Sequence, residues 1–181
     1  MITFPYVSKV LQATNLGKAQ WASSIVSYFS LFAGLGIGTY AIREGALYRD
    51  DKEKLNKFCS EIFSLNMITT VISYLALFIL LLVMNRSIEY KYLIIIYSFS
   101  ILFTTLGVDW INTLYEDFLY ITIRSIIMQI IVLVLTFLFI KNQDDYYIYA
   151  VISMFSSVGA NILNYFYIKN NAPIYAIYII K

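Results

Sequence analysis

The sequence predicts an all-α protein, a polytopic bundle of transmembrane helices. Of its 181 residues, 60% are hydrophobic and only 13% are charged, and the mean hydropathy is +0.72. A soluble domain usually has about 25% charged residues, so too few charges remain here to cover a water-facing surface. Runs such as Leu75–Val83 are apolar on every face and lack the alternation of a barrel strand. Helices in a bilayer are therefore predicted.

Five apolar stretches reach the roughly 20 residues that a helix needs to cross a bilayer. Their short connections are typical of antiparallel neighbours, so residues 1–181 are expected to form a single bundle. The predicted spans cover residues 19–42, 60–84, 92–113, 118–140 and 146–168.

The two ends of the sequence look incomplete. Residues 1–14 are apolar but too short to cross a bilayer, and we expect them to be part of a first helix. Residues 174–180 form another short apolar run. We therefore expect a chain cut at both ends; two short interfacial segments are the alternative.

Composition excludes several classes of function. The formal charge is only +2, without a long basic run, so nucleic-acid binding has no electrostatic basis. The chain has no His and one Cys, Cys59, which excludes a His-ligated metal site and an intramolecular disulfide. We expect no metal and no cofactor.

The distribution of Lys and Arg predicts the orientation. The connection at residues 43–59 and the C-terminal tail carry seven of these residues, and the opposite side carries five. Cytoplasmic loops are enriched in Lys and Arg. We therefore expect the connection and the tail in the cytoplasm.

Small and polar side chains recur at helical spacing in four of the five predicted spans, so each of these helices has one face unsuited to lipid. Either these faces allow close helix packing, including a GxxxG contact at Gly34 and Gly38, or they line a wet cavity. Amides and a carboxylate favour the cavity, since packing needs only small residues. The residues concerned are Asn66, Asp109, Asn112, Asn161 and Asn164.

Charged side chains in hydrocarbon are costly and are expected to face a cavity or a partner. Arg124 is the strongest such signal. It could snorkel towards Asp117 on the same helix, or its planar fork could hold the phosphate oxygens of an anionic substrate such as a pyrophosphate. The four charged residues in or near the spans are Lys9, Arg43, Asp109 and Arg124.

Several segments together resemble one known family. They are Ile2–Leu11, Ala22–Phe29, Phe32–Ile37, Tyr40–Glu44, Arg49–Lys52, Gly107–Trp110 and Tyr120–Arg124. With these segments the chain resembles, over essentially its whole length, the Wzx-type polysaccharide flippases of the multidrug/oligosaccharidyl-lipid/polysaccharide exporter superfamily. The resemblance implies a bacterial inner-membrane transporter, not an enzyme. It would move undecaprenyl-pyrophosphate-linked oligosaccharide between leaflets by alternating access.

Members of that family have two six-helix lobes, and the resemblance assigns this chain to the first lobe. A second lobe would come from the same full-length chain or from a partner chain, and the partners would be the lipid-linked oligosaccharide and membrane lipid. Lys9, Arg43 and Arg124 match positions where the family has basic residues in or near its cavity, although Lys9 replaces the usual Arg and Gln12–Thr14 replaces a Gly-Pro turn. Asp109 is expected to tune or pair with the charge of Arg43 and Arg124, or to hydrogen-bond sugar. The expected substrate-binding residues are Lys9, Arg43, Arg124, Asp109, Asn66, Asn112, Asn161 and Asn164.

Three other functions remain open. An ion-coupled multidrug antiporter of the same superfamily would be expected to carry more acidic than basic cavity residues. Here the charged residues in or near the spans are one acidic residue, Asp109, and three basic residues. An enzyme acting on the same lipid-linked sugar would need a positioned acid, base or metal-binding pair, whereas Asp50-Asp51 and Asp144-Asp145 lie in short charged loops. A non-autonomous transporter fragment is the third alternative, because six helices cannot form an inter-lobe cleft alone.

Overall fold

The computed structural model describes residues 3–85 and 87–171, with side chains up to Tyr167, and these residues contain helices and no strands. This confirms the predicted all-α class. A 3₁₀ turn, Ala46–Tyr48, follows the second helix. The predicted apolar run at 174–180 lies outside the described residues. The helices are α1 (Thr3–Gly34), α2 (Ile37–Gly45), α3 (Lys52–Val83), α4 (Ile88–Gly107), α5 (Trp110–Leu114), α6 (Phe118–Phe139) and α7 (Tyr146–Asn171).

Five helical segments in the described part of the chain are long and apolar enough to cross a membrane. This agrees with the predicted number, and the protein is a multi-pass membrane protein. The segments are Thr3–Tyr48, Lys52–Val83, Ile88–Leu114, Phe118–Phe139 and Tyr146–Tyr167.

The first segment is interrupted at Gln12, where φ is 59° and ψ is 167°. Both sides of this break attach to the connection between α6 and α7. The hydroxyl of Tyr6 donates to the carbonyl of Ile140 at 2.8 Å, and the amide of Asn15 donates to the carbonyl of Gln143 at 2.8 Å. The short N-terminal piece is thus separated from the rest of α1 and held at the same end of the bundle.

A second break separates α1 from α2, so the predicted span at 19–42 is not one continuous helix. Leu35 and Gly36 have φ values of 36° and 72°, and glycine adopts such a backbone at little cost. The GxxxG contact considered for Gly34 and Gly38 does not form within the described part of the chain, where a Cβ built on either glycine meets nothing within 4 Å. These glycines instead flank the turn between α1 and α2.

Helix α3 begins at Lys52, eight residues before the predicted span. Asp51 is its N-cap and accepts a hydrogen bond from the backbone N–H of Lys54 at 3.1 Å. The hydrogen bonds from the Lys54 side chain and backbone hold the pKa of Asp51 below its usual value. The cap stabilises helical turns that precede the apolar part of α3.

Helix α4 lies at the centre of the bundle and packs against α1, α3 and α7, while α6 packs against α7 and α2 packs against α5 and α3. Two apolar cores result. The central core includes Leu11, Leu93 and Ile140. The smaller core is formed mainly by residues of α2, α3 and α5 and includes Leu55 and Ile111. Many side chains on the outer surface are apolar too, as expected where the solvent is lipid.

Hydroxyl groups of the predicted polar faces connect neighbouring helices. Thr69 donates to the carbonyl of Ala33 at 2.6 Å, and Ser73 donates to the carbonyl of Phe29 at 2.6 Å, so both join α3 to α1. The hydroxyls of Thr70 and Thr105 lie 2.7 Å apart and join α3 to α4. In these contacts the Ser and Thr residues hold neighbouring helices together, as such residues do in membranes.

Candidate functional site

The candidate site lies where α4 ends. Gly107 is the last residue of α4, Val108 is left-handed with φ 43° and ψ 42°, and Asp109 precedes α5. A β-branched residue adopts this conformation rarely and at a cost. The predicted span at 92–113 is therefore not one straight helix, and Asp109 lies in a joint between two helices.

Gly107 is needed for the contact between α4 and α7. A Cβ at this position would overlap the side chain of Asn161, which comes from α7. The absence of a side chain therefore lets the two helices approach closely. The sequence pattern predicts that Asn161 lies on a polar face of its helix, but it does not indicate that Asn161 contacts Gly107.

Arg124 of α6 forms an ion pair with Asp109. Its Nη2 donates to Oδ1 of Asp109 at 2.6 Å, and the arginine side chain is only 4% exposed while that of Asp109 is 50% exposed. The predicted alternative, pairing towards Asp117, is wrong. Asp117 caps α6 through the N–H of Tyr120 at 3.4 Å and accepts a hydrogen bond from the hydroxyl of Tyr167 at 2.7 Å.

The ion pair uses only part of the hydrogen-bonding capacity of Arg124. Its Nε and Nη1 are buried and have no hydrogen-bond partner among the described residues. A guanidinium carries five N–H donors, three of them on these two nitrogens. Because buried donors without acceptors are costly, these atoms are where a ligand oxygen or a water would be stabilised.

One tyrosine lies beside the guanidinium, and a second stacks on the first. The Tyr120 ring is 5.5 Å from Cζ of Arg124, within cation–π range. Tyr120 also stacks on Tyr167 with centroids 3.6 Å apart and planes 10° apart. Tyr167 was not predicted as part of the site, although its spacing of three residues from Asn164 places both on one face of α7.

Asparagines connect the joint to α7. Asn112 of α5 donates to Oδ1 of Asn164, and Nδ2 of Asn164 donates to the carbonyl of Gly107. Asn164 is fully buried, and Asn112 and Asn161 are nearly so. Three of the predicted asparagines therefore meet at the junction of α4, α5 and α7, and the amides of two of them, Asn112 and Asn164, bond to protein groups.

Asn161 also lines a groove of about 320 Å³ whose other walls come from α4 and α7. The groove is mainly apolar, so it could hold a hydrophobic group with one amide at its edge. Sequence reasoning did not find it because its wall is formed by apolar side chains that look like ordinary lipid-facing residues. Those residues are Phe103, Leu106, Ile162, Tyr165 and Phe166.

The remaining predicted residues do not join this cluster in the described structure. Lys9 is exposed and lies close in sequence to Tyr6, which contacts Ile140 beyond the end of α6. Ile140 is about 24 Å from Arg124 along a helix that rises 1.5 Å per residue. The predicted site residue Lys9 is therefore near the opposite end of the bundle.

Arg43 and Asn66 have other surroundings. The Arg43 side chain is 78% exposed and pairs with Glu44 at 3.0 Å. Asn66 lies within α3, and its buried Oδ1 has no hydrogen-bond partner in the described structure.

The described residues contain no group of His, Cys, Asp or Glu that could hold a metal ion. The ligand-binding candidates are therefore Arg124 and its neighbours.

Comparison with known proteins identifies the family. Residues 1–175 match the family described as "Polysaccharide biosynthesis protein". The chain is also 26% identical over 167 residues to the "Putative O-antigen transporter" of Escherichia coli (strain K12), a match that covers 90% of this chain and 39% of that relative. No solved structure shows a significant match. The chain thus spans about two fifths of the relative's length. The family match extends over nearly all residues of the chain and confirms the resemblance seen in the sequence. The chain therefore belongs to the family of polysaccharide biosynthesis proteins.

Proposed function

We propose that this chain is part of a flippase that transfers undecaprenyl-pyrophosphate-linked oligosaccharide from the cytoplasmic to the outer leaflet of a bacterial cytoplasmic membrane. The observation that carries the proposal is Arg124, a buried guanidinium inside a membrane-crossing helix whose Nε and Nη1 have no partner among the residues that the structure describes. Intramembrane charges of this kind mark substrate paths. The family match and the name of the relative support the same class of cargo.

The chemistry of the site fits a diphosphate attached to a sugar. The guanidinium presents a planar fork that matches phosphate oxygens. The stacked rings of Tyr120 and Tyr167 offer a flat surface and a hydroxyl beside it. The nearby amides can bond sugar hydroxyls once the substrate displaces their protein partners. Transport needs no covalent step, so the residues bind and release rather than react.

Alternating access supplies the movement in this proposal. In transporters built from repeated lobes the substrate site lies at the interface between lobes. This chain would provide one wall, and a second lobe, from the same full-length chain or from a partner chain, would provide the other. Lys9, Arg43 and Asn66 are proposed to meet the substrate in another conformation, because in the described structure none of them bonds to Arg124.

The proposal is tested by Arg124→Ala in the full-length protein, expressed in cells that lack their own flippase for the same glycan. We expect surface glycan to fall to the level of the empty strain while the protein stays at normal abundance in the membrane. Arg49→Ala is a matched control, because Arg49 forms a more exposed ion pair with Glu116 at 3.1 Å. Normal export by Arg124→Ala would refute the role of the site.

A further inference from the structure

The ion pair between Asp109 and Arg124 is asymmetric. Half of the Asp109 side chain is exposed, whereas the Arg124 side chain is 4% exposed. A ligand that approaches from the open side therefore meets the carboxylate before it meets the guanidinium. For an anionic ligand this order is unfavourable until Asp109 moves.

Unlike other acidic residues near helix ends, Asp109 is not tied to its own helix by a capping hydrogen bond. Asp51 and Asp117 each cap a helix by accepting a backbone N–H, but the Asp109 side chain makes no cap bond with α5. It also follows Val108, whose left-handed backbone marks the joint between α4 and α5. A change of rotamer or a small rotation at this joint would free the carboxylate.

Arg124 can accept a second partner at the same time. Its Nε and Nη1 have buried N–H groups without acceptors in the described structure, so one of the three guanidinium nitrogens, Nη2, is paired and the other two are not. Both two-nitrogen edges of a guanidinium include Nη2, so a ligand that binds either edge in full competes with Asp109. A diphosphate has more acceptor oxygens and more negative charge than one carboxylate, and it can satisfy the nitrogens that Asp109 leaves unpaired.

Building on the proposed flippase function, we propose that Asp109 is the resident counter-ion of Arg124 and that the substrate's diphosphate displaces it. In the empty site the carboxylate neutralises the guanidinium, so no bare charge is exposed to the membrane interior while the protein changes conformation. In the loaded site the carboxylate turns outward. Asp109 thereby selects for anions that outcompete a carboxylate, which favours a diphosphate over a monophosphate.

The test measures binding of undecaprenyl diphosphate and undecaprenyl monophosphate to the full-length protein in nanodiscs. Asp109→Asn removes the competing charge at nearly constant size, so it is expected to tighten monophosphate binding by about tenfold, with a smaller gain for the diphosphate. Preference for the diphosphate then shrinks. Asp51→Asn is the matched control, since Asp51 caps α3 and forms an ion pair with Lys54 at 2.8 Å, and its binding preference should equal that of the wild type.

Weaker or unchanged monophosphate binding by Asp109→Asn would overturn the counter-ion role. Asp109→Ser and Asp109→Glu accompany it: Ser should behave like Asn, and Glu, which keeps the charge, like the wild type. If neither neutral variant folds, the ion pair is a structural requirement and the proposal is also overturned. The proposed function fails separately, when the wild type binds neither lipid and Arg124→Gln changes nothing.

Discussion

Asn164 of α7 donates a hydrogen bond to the carbonyl of Gly107, the last residue of α4. The final carbonyls of a helix have no partner within the helix, and here a side chain from the neighbouring helix supplies one. The same side chain accepts a hydrogen bond from Asn112. One fully buried amide thus holds together three helices beside the ion pair.

Replacement of Asn164 by Leu is expected to destabilise the bundle. Leu has a similar volume, but it leaves the Gly107 carbonyl and the Asn112 amide without partners, at a cost of about 1–2 kcal/mol for hydrogen bonds between membrane helices. Thermal unfolding of the purified protein in detergent measures the effect. Ser157→Ala on the same helix is the control, because Ser157 is exposed and bonds only its own helix at Met154; equal melting temperatures for the two variants would contradict the prediction.

Gly107→Ala is expected to disturb the contact between α4 and α7. The added Cβ would overlap the side chain of Asn161, and overpacking of this kind typically costs about 1–3 kcal/mol. Gly17→Ala in α1 provides the comparison, since a Cβ there meets nothing within 4 Å and Ala is the better helix former. Melting curves should show a lower transition for the first variant and an unchanged or slightly higher one for the second. A Gly107→Ala protein as stable as the wild type would show that α7 is not held closely at this point.

Sequence reasoning predicted the number of spans because length and hydropathy determine whether a segment can cross a bilayer. It did not predict the breaks at Leu35 and Val108, since neither residue has a local preference for positive φ. Near Gln12 it predicted only that residues 1–14 are separate from the span at 19–42. For Arg124, sequence reasoning left two partners open, Asp117 on the same helix and Asp109 in the preceding span. The joint at Val108 lies directly before Asp109, and the structure pairs Asp109 with the guanidinium.

The connection before α7 is predicted to lose stability in acid. Asp145 accepts hydrogen bonds from the backbone N–H groups of Lys141 and Asn142 at 2.9 and 2.7 Å, and these bonds hold its pKa below the ordinary value of 3.8. Because the pKa is lower in the folded protein, the stabilisation is present above 3.8 and is lost as the pH falls through the folded value.

Melting temperatures of the wild type and Asp145→Asn, measured between neutral pH and about pH 2.5, test this prediction. The gap between them should be largest at neutral pH and should close in acid. Asp144→Asn is the matched control, because Asp144 accepts no backbone hydrogen bond among those of the described residues. A gap that stays constant with pH would refute the role of the Asp145 charge.

The orientation of the bundle is predicted to place the connection between α2 and α3 in the cytoplasm and the connection between α6 and α7 on the opposite side. Excess Lys and Arg in residues 43–59 favours this arrangement. Lys52 and Gln143 are both exposed and lie in or next to these two connections, so each can be replaced by Cys in a full-length background without other cysteines. In intact cells stripped of their outer membrane, an impermeant maleimide should label Gln143→Cys alone. Lys52→Cys should react only after the cells are opened, and the reverse pattern would invert the proposed topology.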